Sequence, residues 1–339
     1  MSPNLAPVAG IHQGAGMRGF AAEFRDLDHY IRVITERIWE GRRIDDILIY
    51  YSDPCVVETS TSVSTSVDEV IAGTHTTLAM FPDRRILAED IIQSGDAQGG
   101  FLSSHRIIST MTHTGDGVFG KPTGRKIHTR TVADCVCKDN RIIHEWLVRD
   151  QAATALQLGT TPRVLAQEWL DQRGGWNKPV AGPAPAAYVS HVSSEPVARR
   201  YAQLLEGLSR LDLAVDALYD DAAHLIGPGE RSYYGHAEIA GFWRDMFSAL
   251  RVSSFAVEHL ALQCDMAQSG RSDRVAMRFR AQALHEPLTA DANRYGEGTG
   301  RPVEMLGIVH AEFVRGRVIR QWVVLDDVAI WMQILSPRF

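Results

Sequence analysis

The sequence predicts an α+β protein that consists of two copies of one domain, in which helices precede a curled antiparallel sheet. The chain has 339 residues, about twice a common domain length. In each half, segments with helical spacing come before segments with strand spacing, which is typical of α+β domains and not of βαβ arrays. The segment 123–150 also aligns without a gap to 299–326, so the chain contains an internal repeat.

The helices of the first copy are predicted from periodicity and capping residues. Apolar residues recur at helical spacing from Phe20 to Trp39, and a shorter helix is expected from Asp45 to Tyr51. Ser66 and Glu69 form a capping box for a third helix, which stops before Pro82. Four strand segments follow, at 86–95, 101–112, 126–137 and 142–150.

The division of the chain follows from its composition. Gly14, Gly16 and Gly19 match the spacing of a dinucleotide-binding motif, but no strand precedes them, so we attribute the match to chance. A helix beginning at Pro162 and a Pro/Gly/Ala-rich stretch separate the two copies. The predicted division is a flexible N-terminal arm at 1–19, a first domain at 20–160, the helix and linker at 161–192, and a second domain at 193–339.

Composition and charge exclude several classes of partner. The net charge is −6 and the two signs are interspersed, which argues against nucleic acid or an anionic membrane as a partner. Neither a signal peptide nor an apolar run of about 18 residues is present, so we expect a cytoplasmic protein. Cys55, Cys135, Cys137 and Cys264 lack zinc-site spacing, so we expect structural thiols and no metal.

The turn between the last two strands of the first copy sets which side chains face each other. Asn140 is the third residue of this loop and tolerates the left-handed conformation, so we expect a three-residue turn with a G1 bulge. That register places His128 opposite Asp150 and His144 opposite Asp134. A two-residue turn would shift the register and remove the first of these pairings.

A set of short motifs comes in the order found in a known family. The motifs are Phe81-Pro82-Asp83, Ser104-His105-Arg106, Thr112-His113-Thr114-Gly115, Gly120-Lys121-Pro122-Thr123-Gly124-Arg125, Ile143-His144-Glu145-Trp146 with Asp150, and Gln157-Leu158-Gly159. With them the chain resembles the SnoaL-like polyketide cyclases, within the nuclear transport factor two-like superfamily. The first copy carries nearly the whole pattern, whereas the second keeps the skeleton and fewer of the polar residues.

This resemblance implies both a fold and a catalytic group. It implies two tandem cone-shaped α+β barrel domains, each a curved antiparallel sheet closed by helices. It also implies an active-site aspartate at Asp150, which acts as acid and base without a metal or an organic cofactor. Family cyclases use a histidine on the neighbouring strand, where this sequence has Asp134 to Val136, with His128 further along.

The residues themselves support Asp150 as the candidate general acid/base. Asp150 and Trp146 are four positions apart on one strand and therefore share a face. Beside Trp146 the carboxyl group would be desolvated, which raises its pKa toward values useful for proton transfer. The alternative role of Asp150 is to cap the segment that follows. His128 and His105 are the candidate catalytic partners of Asp150.

Other polar and aromatic side chains on these strands are candidates for substrate binding. Arg106 or Arg130 could hold an enolate or a carboxylate, or form a salt bridge, and Tyr51 could donate to a carbonyl or simply pack. The predicted substrate-binding residues are Trp146, Tyr51, His113, Arg106, Arg130, Asp134 and His144. The candidates in the second copy are Asp326, Glu304, His310 and Trp322, and we expect the first copy, with its fuller motif set, to carry the chemistry.

Two classes of function fit these observations. The first is a cofactor-free lyase, cyclase or isomerase, including aldol, retro-aldol and dehydration chemistry, that acts on an apolar aromatic or polyketide-like molecule. The alternative is a non-catalytic small-molecule-binding or interaction protein of the same fold. The expected partner is a small-molecule substrate, with no nucleic acid and no membrane. A homo-oligomer, in addition to pairing of the two domains within the chain, is left open.

Overall fold

The computed structural model describes residues 17–185, 191–264 and 272–336. Most of the predicted N-terminal arm, including Gly14 and Gly16, lies outside the described residues, as do residues 186–190 of the predicted linker. Within these ranges the chain forms two α+β domains of the same topology, joined by a helix and an extended segment.

The first domain begins with helices and ends with a sheet and a short helix. Its helical segments are α1 (Leu27–Thr35), which continues as a π-helical turn (Glu36–Glu40), a 3₁₀ turn (Ile44–Asp46) that leads into α2 (Ile47–Tyr50), α3 (Val67–Met80) and α4 (Gln151–Leu158). Its strands are β1 (Tyr51–Thr59), β2 (Val63–Ser64), β3 (Arg85–Asp96), β4 (Gly100–Thr112), β5 (Lys126–Lys138) and β6 (Arg141–Arg149).

The second domain repeats this order after a connecting helix, α5 (Pro162–Arg173). Its helical segments are α6 (Pro196–Leu208), a 3₁₀ turn (Val215–Ala217), α7 (Gly235–Ser248) and α8 (Asp327–Leu335). Its strands are β7 (Tyr219–Gly227), β8 (Arg231–Tyr234), β9 (Arg251–Gln263), β10 (Asp273–Leu284), β11 (Pro302–Val314) and β12 (Arg317–Leu325).

Capping side chains determine where the helices of the first domain begin. The Asp26 carboxylate accepts a 2.7 Å hydrogen bond from the backbone N–H of His29, so α1 begins at Leu27. The predicted start at Phe20 was wrong, because Phe20 is buried in a turn that precedes the helix. The predicted cap of α3 is present, since the Ser66 hydroxyl accepts from the backbone N–H of Glu69 at 3.3 Å.

Each domain contains one open, curved, mixed sheet of six strands. The strand order is β2-β1-β6-β5-β4-β3 in the first domain and β8-β7-β12-β11-β10-β9 in the second. The pairs β1/β6 and β7/β12 are parallel, and the other pairs are antiparallel. The two domains are therefore tandem α+β cones, as predicted, but their sheets are neither wholly antiparallel nor closed into barrels.

The turn between β5 and β6 has two residues, so the predicted three-residue turn was wrong. Lys138 pairs with Arg141, and the intervening Asp139 and Asn140 have φ angles of 48° and 65°, which define a type I′ turn. A bulge follows on β6, where Ile143 is left unpaired between Ile142, the partner of Cys137, and His144, the partner of Val136. The register then pairs Asp134 with Trp146 and Val136 with His144. Each of these β6 residues therefore faces a β5 residue that is nearer the turn than the predicted one.

The outer faces of the two sheets pack against each other. An apolar cluster at this interface combines Leu102, Val132, Val136, Trp146 and Val148 with Leu306, Ile308 and Val324. Two equivalent contacts flank the cluster, because Arg278 lies 3.5 Å from the ring centroid of Trp146 and Arg106 lies 3.5 Å from that of Trp322. The interior of each cone faces away from this interface.

The helices of the described residues are all too short or too polar to cross a bilayer.

Candidate active site

The first domain encloses a cavity of about 390 Å³ between its helices and the concave face of its sheet. The helices α1 and α3 line one wall, and α4 and α5 contribute Thr154 and Trp169. Most of the wall is apolar, and it includes Ile34, Trp39, Phe81, Met111, Phe119 and Leu147. The volume lies within the range of about 300–1,000 Å³ that is usual for small-molecule sites.

Strand alternation decides which residues reach this cavity. On β5 the odd-numbered Thr129, Thr131 and Cys135 line the cavity, and on β6 the odd-numbered Glu145 and Arg149 do so. The intervening even-numbered residues point to the opposite face of the sheet. That opposite face includes the interface with the second domain.

Tyr51 and Glu145 form a buried acid–base pair in the cavity wall. The Tyr51 hydroxyl donates a 2.9 Å hydrogen bond to Oε2 of Glu145, and the two residues are only 2% and 6% exposed. Burial raises the pKa of Glu145, although the Tyr51 hydrogen bond and the charge of Arg149 oppose that rise. Burial also raises the pKa of Tyr51 well above its usual value, and the nearby Glu145 adds to this. The pair can therefore exchange a proton with a ligand while Tyr51 stays protonated.

His105 of β4 contributes a neutral imidazole to the same cavity. It is 2% exposed, and its Nε2 has no hydrogen-bond partner among the described residues. Burial lowers the pKa of His105 to about 3, with smaller contributions from the positive charges of Arg32 and Arg106. At neutral pH the ring is uncharged, so Nε2 can accept or donate a hydrogen bond to a ligand according to its tautomer.

Two arginines, Arg84 and Arg149, also line the cavity. Arg84 donates a 3.2 Å hydrogen bond from Nη2 to the Ser109 hydroxyl, whereas its Nε is buried with no partner among the described residues. Burial lowers the pKa of Arg84 to about 10, and the charges of Arg149 and Arg42 contribute to this shift. Burial likewise lowers the pKa of Arg149, which Glu145 and Asp326 partly offset.

Asp150 lies outside this cavity, in contrast to our expectation from the sequence. Its carboxylate caps α4 by accepting from the Ala153 N–H at 2.9 Å, and it accepts from the backbone N–H groups of Gly229 and Glu230 at 2.8 and 3.2 Å. Burial raises the pKa of Asp150 to about 7, although the amide hydrogen bonds oppose that rise. Asp150 therefore takes the alternative role of a cap, and it also ties the first domain to the β7–β8 hairpin of the second.

His128, the predicted catalytic partner of Asp150, is exposed at the end of β5. The observed register places Arg130, not His128, beside Asp150, because the Asp150 N–H donates to the Arg130 carbonyl at 3.0 Å. The backbone of His128 is paired with the side chain of Gln157 instead. The two-residue turn and the bulge together cause this shift.

Trp146, Asp134 and Arg106 lie at the interface between the domains and not in the cavity. Asp134 is fully buried and accepts a 2.7 Å hydrogen bond from Arg278, with His259 Nδ1 at 3.2 Å. Burial would raise the pKa of Asp134, but these two neighbours lower it to about 2. Trp146 lies on the outer face of the sheet, and Asp150 follows the end of β6 and contacts the second domain.

The other predicted substrate-binding residues, apart from Tyr51, also lie outside the cavity lining. His144 stacks beside Trp146 with 4.1 Å between ring centroids, and it borders a groove of about 620 Å³ between the domains. Arg130 forms ion pairs with Glu89, at 2.8 Å, and with Glu230. His113 lies behind Phe81 and contacts the hydroxyl group of Thr123 through Nδ1 at 3.3 Å.

The candidates in the second domain serve as structural contacts. Asp326 caps α8 through the Ala329 N–H at 3.0 Å, and burial raises its pKa to about 7. Glu304 pairs with Lys178 and Arg280, at 2.9 Å each. At the interface, His310 contacts the Ser104 hydroxyl at 2.8 Å and Arg106, while Trp322 packs under Arg106.

The interior of the second cone has fewer polar groups than that of the first. The strand registers align His105 with Met277, Thr129 with Met305, Thr131 with Gly307, Glu145 with Gln321 and Arg149 with Leu325. Large rings fill the space, including Phe279 stacked on Phe255 at 4.8 Å. Gly307 is required there, because a Cβ atom at that position would overlap the Phe279 ring.

Reasoning from the sequence missed Glu145, Arg84 and Arg149. The prediction that Trp146 faces the pocket implies, by strand alternation, that the neighbouring Glu145 faces away from it. A signal was present in the repeat itself. The substitutions of Glu145 by Gln321 and of Arg149 by Leu325 fall on alternate residues, and they mark the face on which the two copies differ in polarity.

Comparisons with known proteins agree with this architecture. Residues 29–158 match the SnoaL-like polyketide cyclase family, and residues 198–321 match the SnoaL-like domain family. The fold and its cavity define the class of nuclear transport factor two-like α+β proteins. The chain belongs to the SnoaL-like family, with two domains of that family in tandem.

Solved structures with a similar fold each correspond to about one domain. AclR from Streptomyces galilaeus is 21% identical, with 40% of this chain and 89% of its own covered and a TM-score of 0.35. A SnoaL-like protein from Jannaschia sp. CCS1 is 14% identical, with coverage of 43% and 99% and a TM-score of 0.34. IdmH from Streptomyces antibioticus is 19% identical, with coverage of 41% and 98% and a TM-score of 0.30. A search of curated proteins finds no match.

Proposed function

We propose that the first domain is a cofactor-free acid/base enzyme of the lyase, cyclase or isomerase type, acting on an apolar, polyketide-like small molecule. The observation that carries the proposal is the 2.9 Å hydrogen bond between Tyr51 and Glu145 inside the cavity that His105 also lines. A base, a proton donor and a largely apolar enclosure are the parts that proton transfer next to a carbonyl group requires.

In this proposal Glu145 is the general base. Its carboxylate removes a proton from a carbon next to a carbonyl group, and the negative charge moves to the carbonyl oxygen as an enolate. A hydrogen bond from Tyr51 or from the neutral His105 stabilises that oxygen, as in an oxyanion hole. Glu145 then returns the proton to another atom of the substrate, so the enzyme ends in its starting state.

Asp150 is not assigned to this chemistry. Three backbone N–H groups occupy its carboxylate, and among the described residues no side chain that lines the cavity hydrogen-bonds to that carboxylate. The role that the family resemblance gives to Asp150 is therefore transferred to Glu145, which has the same chemical group on the opposite face of the same strand. The first domain is preferred to the second because Gln321 and Met277 stand where the first has Glu145 and His105.

Deuterium exchange provides a test that does not depend on knowing the final product. Small molecules that stay bound during native purification are identified by mass spectrometry and incubated with the protein in D₂O. We expect NMR to show deuterium entering the carbon next to a carbonyl group with the wild-type protein and not with Glu145→Gln. The matched control is Asp150→Asn, which makes the same change from carboxylate to amide at a buried position outside the cavity.

A binding protein of the same fold would behave differently in this experiment. A ligand retained by the wild-type protein without any exchange, or with equal exchange in Glu145→Gln, would contradict the proposal. Loss of exchange only in Asp150→Asn would return the catalytic role to the aspartate that the family resemblance indicates.

A further inference from the structure

Arg84 and Arg149 are two guanidinium groups that line one cavity without a carboxylate partner. Neither forms an ion pair with any described residue, and the hydrogen bond from Arg84 goes to the neutral Ser109 hydroxyl. The charge of Arg149 lowers the pKa of Arg84, so the two cations are close enough to repel each other. Partly buried cations in this arrangement are costly unless an anion joins them.

The carboxylates around the cavity do not neutralise this pair. Glu145 is hydrogen-bonded to Tyr51, and it forms no ion pair with Arg84 or Arg149. Glu69 lines the cavity from the first turn of α3, where its carboxylate accepts from the Thr65 N–H at 2.6 Å. The cavity therefore holds two guanidinium groups that form no ion pair with its carboxylates.

The second domain indicates that the fold itself does not need the charge of Arg149. Leu325 occupies the position of Arg149 and is 1% exposed in the apolar core. A leucine thus satisfies the packing at this position of the sheet. The arginine in the first domain is accordingly a feature of its cavity and not of the shared scaffold.

We propose that Arg84 and Arg149 bind a carboxylate, so that the substrate of the first domain is an apolar organic acid. That the bound acid is a substrate rests on the proposed function, but its binding can be measured without turnover. Guanidinium groups suit a carboxylate because their fixed N–H donors match its two oxygens. The cavity of about 390 Å³ and its apolar wall suit a skeleton of two or three fused rings beyond the carboxylate.

Two probes of equal size test this assignment. Isothermal titration calorimetry compares 2-naphthoic acid with 2-naphthamide, which keeps the shape and removes the charge. We expect the acid to bind the wild-type protein at least about tenfold more tightly, since a charge-assisted hydrogen bond contributes more than a neutral one. Arg149→Leu and Arg84→Gln should each abolish this preference. Arg85→Gln changes the adjacent exposed arginine, which pairs with Glu40, and should leave the preference intact.

Stability measurements separate a ligand-binding role from a structural one. Arg149→Leu should raise the midpoint of denaturant unfolding, because it removes a half-buried charge that has no ion-pair partner among the described residues and introduces the residue type found at Leu325. Equal affinity for acid and amide, failure of the acid to bind, or an unchanged preference in both arginine variants would overturn the inference. Glu145→Gln should still bind 2-naphthoic acid, while it loses deuterium exchange on the ligand retained during purification. Failure of the proposed chemistry is therefore distinguishable from failure of the carboxylate assignment.

Discussion

The hydrogen bond between Tyr51 and Glu145 recurs in the second domain as a hydrogen bond between Tyr219 and Gln321. The two pairs occupy equivalent positions on β1/β6 and β7/β12, and all four residues are buried. Gln321 of the second domain thus has the amide side chain that the variant Glu145→Gln would introduce in the first domain. The same backbone geometry accommodates both, which allows the chemical role of Glu145 to be tested without disturbing the fold.

Glu145→Gln should lower the rate of proton exchange by about 10²–10⁴-fold, which is the usual contribution of a positioned acid–base group. The free energy of unfolding should stay the same or rise, because the variant removes a buried ionisable group and keeps the Tyr51 contact. NMR exchange rates and denaturant unfolding measure the two effects. An unchanged rate would mean that Glu145 is structural.

Asp150→Ala should destabilise the protein by about 1–3 kcal/mol and leave the exchange rate within several-fold of wild type. The variant removes the cap of α4 and leaves the N–H groups of Gly229 and Glu230 without their acceptor. Asp326→Ala is the matched control, and its expected loss is about 1 kcal/mol because Asp326 caps α8 through Ala329. Equal losses of stability would argue that the contact of Asp150 with the second domain contributes nothing.

His105 should make the stability of the protein depend on acid pH. Its pKa is about 3 in the folded protein, below its usual value, so the unfolded chain binds more protons between about pH 3 and 6.5. Stability therefore rises with pH across this window, by up to about 1.4 kcal/mol per pH unit from this group. His105→Met, which copies Met277, should remove that part of the slope. Parallel unfolding curves for the two proteins would show that His105 is not buried as a neutral group.

Arg278→Gln should cost about 3–5 kcal/mol, because it leaves the fully buried Asp134 with a weakened set of partners. It also removes the contact of the guanidinium with the Trp146 ring. The exposed pair of Arg210 and Glu206 provides a control, and Arg210→Gln should cost less than about 1 kcal/mol. Similar midpoints of denaturant unfolding for the two variants would contradict a stabilising role of the interface.

Much of the first domain was predictable because its signals are local. The capping residue Ser66 and the alternation of apolar residues on β3 to β6 depend on neighbours in sequence, and the observed strands match the predicted ones closely. The helix from Phe20 was overextended because buried turns can place apolar residues at helical spacing. Of the predicted catalytic and substrate-binding residues, His105 and Tyr51 line the cavity.

The remaining site residues could not be assigned to a face from the sequence. Both faces of β6 carry polar and aromatic side chains, because one face lines the cavity and the other contacts a second folded domain. In the sequence, Trp146 on the outer face resembles a pocket residue as closely as the residues on the inner face do. Strand alternation divides the residues of a strand into two faces, but it does not say which of the two faces lines the cavity.

The sequence by itself determined that there are two α+β domains, where their strands lie, and which residues of each strand share a face. These properties follow from periodicity, capping and the repeat, all of which are encoded locally. Only the tertiary structure decided that Asp150 and Trp146 face the neighbouring domain while Glu145, Arg84 and Arg149 meet in the cavity. The curvature of the sheet and the packing of one sheet on the other make that choice, because they bring together groups that are distant in sequence.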